Sequence, residues 1–66
     1  MDVTTTAELG AAIEAVRSYR HRVTGLVARH ADTDRDDLVT AIYEAERSLG
    51  VAARTLQRAL RAASTR

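Results

Sequence analysis

The chain has 66 residues and a formal net charge of +1 at pH 7, so it forms one small domain at most. It contains no Cys, Pro, Phe or Trp. This composition excludes a disulfide framework, thiolate chemistry and a zinc finger, and it leaves no aromatic platform on which nucleic-acid bases could stack. No apolar run is long enough to span a membrane and the first residues lack a signal-peptide pattern, so we expect a cytoplasmic protein without membrane contact.

The first predicted helix covers about residues 6–30. Its start is indicated by Thr5, which lies three residues before Glu8, the spacing of a capping box. Apolar residues then recur at the seven-residue spacing of a coiled coil. They form two rows that should pack against another helix: Leu9, Val16 and Val23 in the first row, and Ala12, Tyr19 and Leu26 in the second.

A polar linker at residues 31–34 precedes the second predicted helix, at about 35–63. Thr33 or Asp34 should cap this helix, because both side chains can accept a hydrogen bond from the first turn. Since the linker is short, we expect the two helices to form an antiparallel hairpin, which is an all-α fold. The second helix also has two apolar rows: Ile42, Leu49, Leu56 and Ala63 in the first, and Leu38, Ala45, Ala52 and Ala59 in the second.

Charge is segregated along the chain: residues 32–46 carry a net charge of −5 and residues 47–66 a net charge of +5. The hairpin accounts for this order, because the basic end of the first helix lies beside the acidic start of the second. The acidic residues of the first helix likewise lie beside the last arginines. This pairing predicts that Arg20 lies near Glu46 and Arg22 near Glu44.

A two-helix hairpin has no third layer to close its core, so the sequence predicts a partner. The simplest partner is a second copy of the chain, which gives a homodimeric four-helix bundle. Another helical protein is the alternative partner. The interface should consist of residues that widen the apolar stripe beside the predicted rows, together with one tyrosine: Ile13, Val27, Val39, Tyr43 and Leu60.

Residues 48–61 resemble the helix-turn-helix of AraC-type and Fis-type DNA-binding proteins, where Leu-Gly-Val precedes an Arg-Thr-Leu recognition helix. The sequence departs from that pattern at Glu46, where the family has a small residue, and at Ala52, where it has a capping Ser or Thr. The heptad rows continue across Gly50, which favours one straight helix instead. The resemblance implies a motif at about 38–61 that contacts DNA through five side chains: Arg54, Thr55, Gln57, Arg58 and Arg61.

No constellation of residues indicates catalysis. The serines have no base nearby in the sequence, there is no Gly-rich phosphate loop, and His21 and His30 are not at metal-ligand spacing. Residues 32–36 imitate the start of a calcium loop, but Asp37 and Tyr43 occupy positions that require Gly and Glu. We therefore expect no enzyme, metal or cofactor. The leading hypothesis is a self-associating helical protein-interaction module, and the alternative is a small DNA-binding regulator.

Overall fold

The computed structural model describes residues 2–30 and 34–65, which form two α-helices: α1, Val3–His30, and α2, Asp36–Ser64. The helices pack side by side and antiparallel in a rod with extents of 51 × 14 × 10 Å. The predicted all-α hairpin is therefore confirmed. In the part of the chain that the structure describes, neither helix is long and apolar enough to cross a lipid bilayer.

α1 begins three residues earlier than the capping-box spacing predicts, because Asp2 caps it. The Asp2 carboxylate accepts hydrogen bonds from the Thr5 amide, at 3.1 Å, and from the Thr5 hydroxyl. The Asp2 carbonyl also accepts the Thr6 amide at 3.0 Å, so the helical ladder continues back to this residue. An ionised carboxylate is a stronger acceptor than a threonine hydroxyl, and it also complements the positive end of the helix dipole. The prediction that Thr5 and Glu8 form the cap was wrong.

α2 begins after Arg35, which occupies the cap position without a side-chain hydrogen bond to the first turn. The prediction that Asp34 caps this helix was therefore wrong, and Thr33 lies outside the described residues. Asp36 and Asp37 instead place two negative charges in the first turn, where they face the positive end of the helix dipole. The Arg35 guanidinium contacts Asp37 at 3.4 Å, and the Arg35 carbonyl accepts the Val39 amide.

The seam between the helices, meaning the rows that face each other inside the hairpin, contains the predicted first row of each helix. Its second row lies on the opposite flank from the predicted one. Tyr19 and Leu26 were expected inside it, but 54% and 38% of their surfaces are exposed, and Ala45 and Ala59 are exposed too. The seam on α1 combines the predicted first row with Thr6, Ile13, Arg20 and Val27. On α2 it combines the predicted first row with Val39, Glu46, Ala53 and Leu60.

The second row of the observed seam carries branched apolar side chains on both helices. Ile13 and Leu60 take the places that the prediction gave to Ala12 and Ala59, and a branched side chain removes several more CH₂ equivalents from water than a methyl group. Val27 and Val39 take the places of Leu26 and Leu38. Ile13 is the most buried side chain of the described residues, with 3% of its surface exposed. The cost is that Arg20 and Glu46 also enter the seam, and these two must therefore pair.

Candidate interaction surfaces

A polar cluster of Arg20, Glu46 and Gly50 lies at the middle of the seam. The Arg20 guanidinium donates from Nε to Oε2 of Glu46 at 2.8 Å, and its Nη2 lies 2.8 Å from the same oxygen. Gly50 is buried directly beneath this guanidinium, and a Cβ built on it would lie only 2.9 Å from Cζ of Arg20. The predicted contact between Arg20 and Glu46 is confirmed, and Gly50 provides the space that it needs.

This cluster gives Glu46 and Gly50 roles that the sequence resemblance did not anticipate. α2 runs without interruption from Asp36 to Ser64, and its backbone has no turn and no positive φ at Gly50. The glycine that the resemblance places in a turn is instead a point of close approach inside a straight helix. The glutamate that departs from the family pattern is the ion-pair partner of Arg20.

The cluster also establishes which flanks of the two helices share a side of the hairpin. Consecutive residues lie about 100° apart around a helix, so Tyr19 lies on one flank of the α1 seam, whereas Arg20 lies within the seam, in the row nearer the other flank. Ala52 and Gly50 fall on opposite flanks of the α2 seam for the same reason. Because Arg20 contacts Gly50, their flanks share one side, which we call the polar side. Tyr19 and Ala52 therefore share the other side.

This second side, which we call the uncharged side, carries apolar and small residues along most of the hairpin. Tyr19 and Leu26 are its largest exposed members, and Arg22 borders it with its Cζ 5.6 Å from the centre of the Tyr19 ring. The Thr55 hydroxyl donates to the Val51 carbonyl at 3.0 Å and is thus satisfied within α2. The members from α1 are Ala12, Tyr19 and Leu26, and those from α2 are Leu38, Ala41, Ala45, Ser48, Ala52, Thr55, Ala59 and Ala62.

Four of the five predicted interface residues belong to the core of the single hairpin. Ile13 is buried there, and Val27, Val39 and Leu60 are half-buried in the seam. The fifth, Tyr43, lies on the polar side with 53% of its surface exposed, and an interface role for it stays a prediction. Sequence reasoning placed Tyr19 and Leu26 in the core, and so it missed them as surface residues. The signal was present in the neighbouring row, where the branched side chains Ile13 and Val27 have the same helical spacing.

The structure brings together four of the five predicted DNA-contacting residues. Arg54, Gln57, Arg58 and Arg61 line a shallow groove of about 380 Å³ on α2, whereas Thr55 lies on the uncharged side. The acidic residues of α1 were expected to lie beside these arginines. Across residues 2–30 and 34–65, however, no acidic group lies within 4 Å of the three guanidinium groups.

The other sequence-based candidates do not form a site. Arg22 contacts Tyr19 rather than Glu44, so that predicted ion pair is absent from the described part of the hairpin. Of the calcium-like segment 32–36, residues 32 and 33 lie outside the described residues. Among the residues that are described, no group of three or more His, Asp or Glu side chains could hold a metal ion.

Comparisons of the chain with protein-family models, with curated proteins and with solved structures found no match.

Proposed function

We propose that the protein is a non-enzymatic, cytoplasmic interaction module that self-associates, with two hairpins packing through their uncharged sides to form a four-helix bundle. The observation that carries this proposal is the uncharged side itself. Its described members have no charged side chain, while Tyr19 and Leu26 expose large apolar surfaces on it. An exposed apolar strip of this kind, with a charged border, is typical of a protein–protein contact.

The exposed area of the hairpin supports a partner of about the same size. The chain exposes 4982 Å², whereas size scaling gives about 4,100 Å² for a compact monomer of 7.2 kDa. The excess of roughly 850 Å² is close to the ~800 Å² that each partner buries in a stable interface. A dimer would therefore bring the exposed area per chain down to a typical value.

The shape of the uncharged side favours a second copy over an unrelated helix. On α1 this side carries the bulky Tyr19 and Leu26, whereas on α2 it is mostly alanine, serine and threonine. Bulky positions pack best against small ones, because facing side chains can then interdigitate without voids. Such a surface is complementary to itself after a two-fold rotation that places the bulky half of each copy on the small half of the other. Self-complementarity of this kind is the requirement for a symmetric dimer.

Two tyrosines provide a matched test of this proposal. Tyr19 and Tyr43 are 54% and 53% exposed, on the uncharged and the polar side respectively, so a glutamate at either position leaves the seam intact. We expect Tyr19→Glu to convert the dimer to a monomer, because it buries a charge in the interface, and Tyr43→Glu to leave the dimer unchanged. The measurement is molecular mass by sedimentation equilibrium, with helicity checked by circular dichroism.

A wild-type chain that stays monomeric throughout the accessible concentration range contradicts the proposal. Dissociation by Tyr43→Glu but not by Tyr19→Glu would place the contact on the polar side instead.

A further inference from the structure

Two rows of residues at seven-residue spacing follow the border of the uncharged side. The row on α1 runs acidic, neutral, basic and basic, and the row on α2 runs acidic, acidic, neutral and basic. When the two rows are set antiparallel, an opposite charge faces every charged residue and the two neutral residues face each other. The α1 row is Glu8, Ala15, Arg22 and Arg29, and the α2 row is Asp37, Glu44, Val51 and Arg58.

The hairpin itself does not use this complementarity. Within the described residues, no oppositely charged group lies within 4 Å of Glu8, Arg22, Glu44 or Arg58. The two rows lie on the outer flanks of their helices, beyond the residues of the uncharged side, and therefore cannot meet inside one chain. Val51 lies in the α2 row with 47% of its surface exposed, and nothing in the single hairpin covers it.

We infer that, in the self-association proposed above, α1 of each copy packs antiparallel against α2 of the other about a two-fold axis parallel to the helices. This inference rests on that proposed function and adds the orientation of the partner. It pairs Glu8 with Arg58, Ala15 with Val51, Arg22 with Glu44, and Arg29 with Asp37 between the copies.

The register of these pairs follows from the hairpin and is not adjustable. A two-fold axis parallel to the helices keeps every residue at its own height, so facing residues in the dimer match in height as they do within one chain. In each of the four pairs the two residue numbers add up to the same total as those of Arg20 and Glu46, which touch in the hairpin. All four pairs thus agree in height, three of them join opposite charges, and the fourth joins two apolar residues.

The small residues of α2 are also accounted for by this arrangement. Arg22 and Arg29 must reach across the surface of α2 in the other copy to meet their acidic partners. The residues in their path are small, among them Ala41 and Ser48. The long arginine side chains can lie over these positions and keep their guanidinium groups at the solvent-facing rim. Tyr19 and Leu26 then pack on the alanines of the partner's α2.

The other symmetric arrangement has its two-fold axis perpendicular to the helices and pairs each helix with its own copy. It would place Val51 on Val51 and Ala15 on Ala15, which sets Glu44 opposite Arg58 and Glu8 opposite Arg22. It would leave Arg29 and Asp37 without an opposite charge. The axis parallel to the helices satisfies more of the charged residues and is therefore favoured.

Charge reversal tests the inferred pairing in the 66-residue chain. Arg22→Glu alone and Glu44→Arg alone each turn two attractive contacts per dimer into repulsive ones, and we expect each to weaken dimerisation roughly tenfold at low salt. The double variant Arg22→Glu/Glu44→Arg should restore the wild-type dissociation constant. Arg54→Glu, which makes the same charge change as Arg22→Glu on the groove face of α2, serves as the control and should have little effect.

Cysteine cross-linking distinguishes the two symmetry axes, because the chain has no cysteine of its own. An equimolar mixture of Ala15→Cys and Val51→Cys should form a mixed covalent dimer with a bifunctional thiol cross-linker that spans the small residues between the two positions, whereas each variant alone should not. Efficient self-cross-linking of Val51→Cys, or failure of the double charge reversal to restore a dimer, would overturn the inference while the self-association stands. A monomeric wild-type chain would instead remove the proposed function itself.

Discussion

Single residues explain the most specific feature of the hairpin, the ion pair that crosses its seam. Arg20 and Glu46 retain 42% and 26% of their side-chain exposure, so water screens the pair and its net stabilisation is modest. Its larger effect is on register, because a charged residue in a seam is costly in any alignment that separates it from its partner. Gly50 is required for the same ion pair, because any side chain at this position would displace the Arg20 guanidinium.

The first prediction concerns this dependence of Gly50 on Arg20. In the wild-type chain, Gly50→Ala should change the free energy of unfolding little, because a gain of up to about 1 kcal/mol in helix propensity is offset by displacement of Arg20. In an Arg20→Ala background the same substitution should stabilise by about 1 kcal/mol. Denaturant unfolding at fixed protein concentration measures both values.

Gly25→Ala is the matched control, because a Cβ at Gly25 has no neighbour within 4 Å. It should stabilise by roughly 0.5–1 kcal/mol in both backgrounds. Equal effects of Gly50→Ala with and without Arg20 would show that the two residues are not coupled.

The second prediction concerns Asp2 and pH. The hydrogen bonds from Thr5 hold the pKa of the Asp2 carboxyl below its ordinary value of 3.8. A lowered pKa in the folded state means that the cap stabilises α1 fully above the unfolded pKa and is lost as the pH falls through the folded one. Amide exchange in the first turn of α1 should therefore lose protection in strong acid more than the middle of the helix does. Asp2→Ala should remove this pH dependence, and its persistence would assign it to another group.

At the scale of the element, α2 remains one continuous helix because the packing of its seam residues outweighs the low helix propensity of Gly50. A glycine inside a helix costs about 1 kcal/mol relative to alanine. The seam residues on both sides of Gly50, including Leu49 and Ala53, pack on α1 and hold the backbone helical through this position. Breaking the helix at Gly50 would also require a new cap, which Ala52 cannot provide.

The third prediction follows from this continuity. Amide protons from residues 47 to 54 should exchange at uniformly slow rates, comparable to those of their neighbours in α2. The measurement is hydrogen exchange followed residue by residue by NMR at neutral pH. A stretch of fast exchange at 48–52 would indicate a turn and would favour the three-helix arrangement that the DNA-binding resemblance implies.

For the whole molecule, the two sides of the hairpin have different chemistry, one uncharged and one polar with a basic groove beside it. The net charge of +1 is nevertheless too small to create a strong long-range attraction for nucleic acid. The arginines of the groove share one half of α2, and they could contact three or four phosphates at most. We therefore expect the affinity for a polyanion to be weak and to fall steeply as the salt concentration rises.

The fourth prediction is accordingly that the protein binds random duplex DNA weakly and without sequence preference. The logarithm of its affinity should fall by about 0.9 for each phosphate contact per tenfold rise in salt, and little binding should be left near physiological salt. Fluorescence anisotropy over a salt series measures this slope. Sub-micromolar, sequence-dependent binding at physiological salt that is abolished by Arg54→Ala/Arg58→Ala would support the DNA-binding alternative instead.

The sequence by itself determined the features that depend on local pattern and on charge order. Two helices, one before and one after the acidic segment, follow from the heptad spacing, which continues without interruption within each of them. The antiparallel pairing and the contact between Arg20 and Glu46 follow from the short linker and the segregated charges. These features are predictable because each depends on neighbours in the sequence or on a single simple topology.

Only the tertiary structure decided which rows form the seam and where α1 begins. Each helix has three adjacent rows rich in apolar residues, so periodicity alone allows either pair of neighbouring rows to face inward. The choice depends on how much surface Ile13, Val27, Val39 and Leu60 bury together, and on whether Gly50 leaves room for Arg20. Both are properties of two helices in contact, and that contact places Tyr19, Leu26, Ala45 and Ala59 of the predicted second rows at the surface.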